Sequence, residues 1–202
     1  MVQRTAGRHY TVEDYFAVEE GSAIKHEYYE GEIFAMTGAS LRHNRIARNL
    51  LTALSTRMRS SDCEAFGSDL RVRTPSGLLT YPDVTVVRGA VELSNVDRLD
   101  TVLNPTVIIE VLSESTRDYD TGEKCRLYCE IPTLLEYITI DQAKMLVEVL
   151  SAPSDGSSRL PADWDRKCDT KAAENIGLKS LGIDLSMNEI YSRVDLGAPD
   201  SK

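Results

Sequence analysis

The sequence predicts an α/β domain, a mixed β-sheet flanked by helices, over residues 1–202. Three observations predict it. In residues 41–60, Ile46, Leu50, Leu54 and Met58 recur at every fourth position and Leu51 widens them, the apolar stripe of a core-facing helix. TVIIEVL, residues 106–112, is nearly all apolar and β-branched, as in a strand buried on both faces. A helical segment also interrupts the later strand-like runs, which mixes the two element types in one layered unit. The length suits one domain, and 42% hydrophobic with 27% charged residues excludes a disordered, collagen-like or membrane-spanning chain.

The elements follow in order. Thr11 with Asp14 resembles a capping box opening a helix from Val12 to about Glu20. KHEYYEGEIFAM reads as a hairpin hinged at Glu30–Gly31, and the helix of residues 41–60 comes next. CEAFGSDLRVR (63–73) and LTYPDVTVV (79–87) read as strands around a PSG turn, and residues 88–105 as a polar loop. After TVIIEVL, a helix is expected from about 121 to 131, capped by Asp120 with Glu123 and ended by Pro132. LLEYITI and MLVEVL are two further strands. SAPSDGSSRLPAD is loop-like, and GLKSLGIDLSMNEIYSRVDL supplies a closing strand and a short helix capped by Ser186 with Glu189.

Four cysteines, at 63, 125, 129 and 168, form no C-x-x-C sets, as in a reducing compartment. Cys125 and Cys129 can share a helical face, as half a metal site or as small buried hydrophobes; no second ligand pair has zinc spacing. MVQRTAGRHY lacks an apolar leader core, so a cytoplasmic location is expected.

The chemistry concentrates on three residues. Glu110 lies mid-way in TVIIEVL, where an ionised carboxylate loses its hydration and must be neutralised, paired or bound to metal. Asp83 follows Pro82 at the start of an apolar run, either a turn cap or a site residue. Lys124 heads the apolar face Leu127, Tyr128 and Ile131 of its helix, so its ammonium either snorkels to water or meets an anion inside. Two carboxylates suit Mg²⁺, which prefers oxygen ligands. A lysine beside them can orient water or offset charge on a phosphate. Together these equip a site for metal-assisted phosphodiester hydrolysis.

YPDV and IIEVLS, in turn, resemble the metal-binding half-motifs of the PD-(D/E)XK nuclease superfamily. The chain more closely resembles its bacterial "putative restriction endonuclease" family, through YTVEDYFAVEE, HEYYEGEIFAMTGAS, His43-Asn44, FGSDLRVR, NPTVIIEVLSEST, DYDTGEK, Tyr128, IPTLLEYITID and SLGIDLSMNEIY. The resemblance implies a restriction-endonuclease-like core and a Mg²⁺ (or Mn²⁺) site on Asp83 and Glu110, with the Val111 carbonyl also reaching the metal. One departure stands out: the third position of the (D/E)-x-K tripeptide is Leu112, and Lys124 of DYDTGEK is the matching lysine. Either Glu27 or Glu32, Glu27 by preference, is implied as a further ligand or else a solvated hairpin charge. His43, also a matching position, either packs inward or helps bind phosphate and position water.

The formal net charge of −9 speaks against a general nucleic-acid coat protein. Its distribution is uneven. Between Ile33 and Ser61 there is no acidic residue but there are five arginines, of which Arg45, Arg48 and Arg59 lie opposite the apolar stripe while Arg42 and Arg57 flank it. This face, with Arg42, Arg45 and Arg48 foremost, is either an ordinary solvated one or a DNA-phosphate surface, which a homodimer would present twice. The expected function is a metal-dependent DNA endonuclease. Its rival is a catalytically silent nucleic-acid- or partner-binding protein that retains the fold.

Overall fold

A computed structural model describes residues 9–36, 38–97, 100–171 and 174–197. Residues 1–8, part of the stretch read for a leader, lie outside the described residues. In chain order the elements are α1 (Val12–Gly21), β1 (His26–Tyr29), β2 (Glu32–Ala35), α2 (Leu41–Arg57), β3 (Cys63–Gly67), β4 (Arg71–Arg73) and β5 (Leu79–Thr80). Next are β6 (Val84–Arg88), β7 (Thr101–Val102), β8 (Val107–Leu112), α3 (Arg117–Thr121), α4 (Glu123–Cys129) and β9 (Glu136–Asp141). β10 (Val147–Ser151), β11 (Asp165–Asp169), β12 (Asn175–Leu178), β13 (Ile183–Ser186) and α5 (Met187–Ile190) complete the chain. Thr11 and Asp14 form the expected capping box at α1.

The strands sort into a six-stranded sheet, β11-β10-β9-β8-β6-β3, a five-stranded sheet, β2-β1-β5-β4-β7, and the β12–β13 hairpin. The large sheet is mixed: β8 runs parallel to β9, and its other pairings are antiparallel. Two expected strands are each cut in half by the passage between sheets. In residues 63–73 the break is a turn closed by Leu70 N–H on the Gly67 carbonyl, 3.2 Å, so β3 joins one sheet and β4 the other. In residues 79–87 it is Tyr81-Pro82-Asp83, because proline has no N–H for a ladder. Asp83 therefore stands where the chain crosses from the small sheet to the large one.

β8 is buried on both faces, and its alternation divides two cores. Val107, Ile109 and Val111 pack with Val84 and Val86 beneath the α2 stripe of Ile46, Leu50 and Leu54. Ile108 faces the opposite way, among Tyr128, Cys129, Ile131 and Tyr137. Glu110 shares the parity of Ile108 and so turns toward α4. Cys125 and Cys129 are buried there as free thiols.

The single helix expected at 121–131 is two helices broken at Gly122, whose φ of −107° and ψ of −101° depart from helical geometry. A Cβ there would meet the Asp118 carbonyl oxygen at 2.6 Å, so glycine is required. The expected cap, Asp120, instead belongs to α3 and is buried. Ser186 occupies the N-cap of α5 but makes no side-chain cap bond. The polar loop contains β7, whose two residues carry too little pattern to read. β11 was not expected because DRKCD is an exposed, charged edge strand. The expected closing strand is one arm of the β12–β13 hairpin. Among the described residues, no helix is long and apolar enough to cross a membrane.

Candidate active site

Sheet register brings the first two carboxylates together. Val84 pairs with Ile109, which sets Asp83, one residue earlier, across from Glu110. The Asp83 N–H donates to Glu110 Oε2 at 3.3 Å, and the Val111 N–H donates to Asp83 Oδ2 at 2.7 Å. Helix register adds the cation. Lys124 is buried on the inner face of α4, one turn before Tyr128. Its Nζ lies 2.9 Å from Glu110 Oε1, 2.9 Å from Glu27 Oε1 and 3.6 Å from Asp120 Oδ1. Of the two hairpin candidates, Glu27 thus enters this cluster, where Thr80 also donates to its Oε1. Glu32 lies on β2, opposite Tyr29.

His43 opens α2 on its inward side, and its Nε2 lies 3.1 Å from Asp83 Oδ2. The Tyr128 hydroxyl donates to Glu110 Oε1 at 2.8 Å. The structure therefore gathers Glu27, Asp83, Glu110, Lys124 and His43, and Val111 contributes its amide. Asp120, Thr80 and Tyr128 join them. Tyr128 lies four residues after Lys124 on α4, the helical spacing that marks it in the sequence, whereas Asp120 reaches Lys124 across the break at Gly122.

Burial sets the electrostatics. Burial, opposed by Lys124 and aided by Asp83 and Asp120, leaves the Glu110 carboxyl raised to about 8. Burial also raises Asp120, against the pull of Lys124. For Lys124, burial alone would favour the neutral amine, but Glu110 and Glu27 outweigh it and hold the ammonium charged. One ammonium thus faces three carboxyl groups, with Asp83 adjoining, and burial opposes full ionisation of that set in the absence of a further cation.

That donor set is hard oxygen, which suits Mg²⁺ or Mn²⁺. Among the described residues, no group of three or more His, Cys, Asp or Glu side chains is arranged as a ready metal-binding cluster. A cation here would take two protein carboxylates and keep several waters, the usual habit of Mg²⁺.

The chain matches the Uma2 family model, described as a putative restriction endonuclease, over residues 12–170. It belongs to that family. Two Synechocystis proteins (strain PCC 6803) are similar: uncharacterized protein slr1290, 33% identical over 182 residues that cover 89% of this chain and 90% of its own, and uncharacterized protein sll1609, 37% identical over 139 residues that cover 68% and 78%. A crystal structure from Anabaena variabilis, described as a putative nuclease belonging to DUF820, superposes with a TM-score of 0.70. That match covers 90% of this chain and 97% of the other at 17% identity, a likeness of fold. The Uma2 fold here is the restriction-endonuclease-like one: a mixed sheet flanked by helices, with the acidic cluster at its centre.

The arginines expected to face DNA are dispersed. Arg48 is exposed, Arg45 half-buried and Arg42 buried. Arg57 is tied to Glu189 by two bonds of 2.9 and 2.7 Å. The exposed part of the basic face is carried by Arg48 and Arg59 with Arg45 beside them.

Proposed function

We propose that this Uma2 protein is a divalent-metal-dependent endonuclease that hydrolyses DNA phosphodiester bonds. The observation that carries the reading is the register of β6, β8 and α4, which sets Asp83 across from Glu110 and the Lys124 ammonium 2.9 Å from Glu110. Asp83 and Glu110 would hold the metal with the Val111 carbonyl, and Glu27 anchors Lys124 at 2.9 Å. A bound Mg²⁺ or Mn²⁺ supplies polarisation of a phosphoryl oxygen and a water of lowered pKa.

The chain's own groups do the rest. Lys124 stays protonated, so it acts as a fixed charge and donor rather than as a base. Its contact to Asp120 is longer than a hydrogen bond, which leaves one of its three N–H donors for water or a phosphate oxygen. Arg45 and Arg48 on α2 attract the duplex backbone.

The test is cleavage of single- and double-stranded DNA with Mg²⁺ or Mn²⁺. Asp83→Ala, Glu110→Ala and Lys124→Ala should each lower the rate on the order of 10²–10³-fold or more. Activity that survives Glu110→Ala unchanged would sink the assignment. DNA binding that needs Arg45 and Arg48, ignores Glu110 and yields no cleavage would favour the silent binding protein instead.

A further inference from the structure

The two central carboxylates share a pattern of close polar contacts. Each has one oxygen held twice. Asp83 Oδ2 receives the Val111 N–H at 2.7 Å and lies 3.1 Å from His43 Nε2. Glu110 Oε1 receives the Tyr128 hydroxyl at 2.8 Å and lies 2.9 Å from the Lys124 ammonium. The second oxygens are different. Among the described residues, Asp83 Oδ1 has no hydrogen-bond partner, and Glu110 Oε2 has only the long 3.3 Å contact from the Asp83 amide.

The two side chains responsible are unusual for purely structural groups. The Tyr128 ring is fully buried, and its hydroxyl is spent on a carboxylate oxygen that Lys124 already reaches. His43 Nδ1 is buried with no partner among the described residues, so the imidazole's one polar side-chain contact is Asp83. A core histidine placed for stability would satisfy both nitrogens. One ring nitrogen thus faces Asp83 Oδ2, and the other, Nδ1, is buried without a partner among the described residues.

We infer that His43 and Tyr128 are positioning residues: each immobilises one oxygen of a metal-binding carboxylate, His43 on Asp83 and Tyr128 on Glu110, so that the other oxygen is presented to the cation. The inference rests on the metal-dependent reading above and assigns His43 to the ligand rather than to phosphate. Both residues fix carboxylate rotation, which is how partners behind a ligand govern metal affinity.

The experiment is calorimetric titration of the full chain with Mn²⁺ alone, beside Mn²⁺-dependent cleavage. Wild type should bind, and Glu110→Ala should not. Tyr128→Phe, which removes one oxygen atom from a buried ring, and His43→Leu should each weaken Mn²⁺ binding about 10- to 100-fold. Both should raise the Mn²⁺ concentration for half-maximal cleavage by a similar factor and leave the KM for DNA unchanged. His43→Gln, whose amide can donate in place of Nε2, should restore most of the affinity. Wild-type Mn²⁺ affinity in both Tyr128→Phe and His43→Leu overturns the positioning roles while Glu110→Ala still upholds the site. A raised KM for DNA in His43→Leu at unchanged Mn²⁺ affinity overturns them for His43, returning it to phosphate binding. Absence of Mn²⁺ binding by the wild type, or binding that survives Glu110→Ala, overturns the metal-dependent reading and the positioning roles together.

Discussion

Two buried cations in this molecule, Arg71 on β4 and Lys124 on α4, draw partners from adjacent positions of the chain. Arg71 sits among the rings of Tyr15, Phe16 and Tyr81, with its guanidinium carbon 5.4, 5.0 and 5.0 Å from their centroids. It donates to the Tyr81 hydroxyl and lies 3.7 Å from Glu19, which also receives Tyr81 at 2.6 Å and contacts His26 at 2.7 Å. Lys124 sits among Glu27, Glu110 and Asp120. His26 and Tyr81 serve the first cluster, and their neighbours Glu27 and Thr80 serve the second. The first matches one cation to one carboxylate and fills the remaining space with aromatic faces, so its charge closes. The second leaves carboxylates in excess of its single ammonium. A closed cluster fastens α1 to the small sheet; an open one has electrostatic capacity for another cation.

The largest effect should come from breaking the open cluster at its centre. Lys124→Met leaves Glu27 and Glu110 buried without a counter-charge and should destabilise the metal-free protein by about 3–5 kcal/mol in urea unfolding. Adding Glu27→Gln and Glu110→Gln to that variant should recover most of the loss, because the uncompensated charge is the costly part. A triple variant no more stable than Lys124→Met would show that packing of the lysine stem, not charge, holds this region.

Metal should separate the clusters next. A ligand that binds only the native state at a hundred times its dissociation constant stabilises by about 2.7 kcal/mol. Saturating Mn²⁺ should therefore raise the melting temperature of the wild type and of Tyr81→Phe alike, and leave Glu110→Gln where it was. Equal stabilisation of Glu110→Gln would place the cation elsewhere.

These clusters were unequally legible in the sequence. Glu110 betrays itself by interrupting an apolar run, and Lys124 by heading an apolar helical face, because each violates a local periodicity. Asp83 is visible through the proline before it. The Arg71 cluster gives no such signal: Arg71, Tyr81 and Glu19 fall in segments of ordinary polarity, and only the small sheet's pairing assembles them. The same pairing is why two expected strands proved to be four, since a crossing between sheets leaves the hydrophobic alternation nearly intact on either side. Asp120 shows the converse error. Its spacing to Glu123 imitates a helix cap, and only the break at Gly122 turns its carboxylate to Lys124.

A smaller effect probes the closed cluster. Tyr81→Phe deletes a hydroxyl that Arg71 and Glu19 share and leaves both buried groups short of a partner, at a cost of about 1–3 kcal/mol. Mn²⁺ affinity should stay within about twofold of wild type, since ring packing still guides Pro82 and Asp83. A loss of metal affinity comparable with that of Tyr128→Phe would mean that the two clusters are mechanically one.

The exposed pair Arg57–Glu189 supplies the scale against which both clusters are read. Its geometry is bidentate and short, and its side chains are 34% and 37% exposed. Distance alone would rank it with Lys124–Glu110. Water screens it, however, and ordering two long side chains opposes it, so Arg57→Ala should cost no more than about 1 kcal/mol in urea unfolding. The pair also links α2 to α5, and that bridge is reinforced independently by Asn49 Nδ2 donating to the Ile190 and Ser192 carbonyls at 2.9 Å. A cost as large as that of Lys124→Met would mean that connectivity between elements, rather than burial of charge, sets the energetics of ion pairs in this fold. The contrast between open and closed buried clusters would then lose its physical basis.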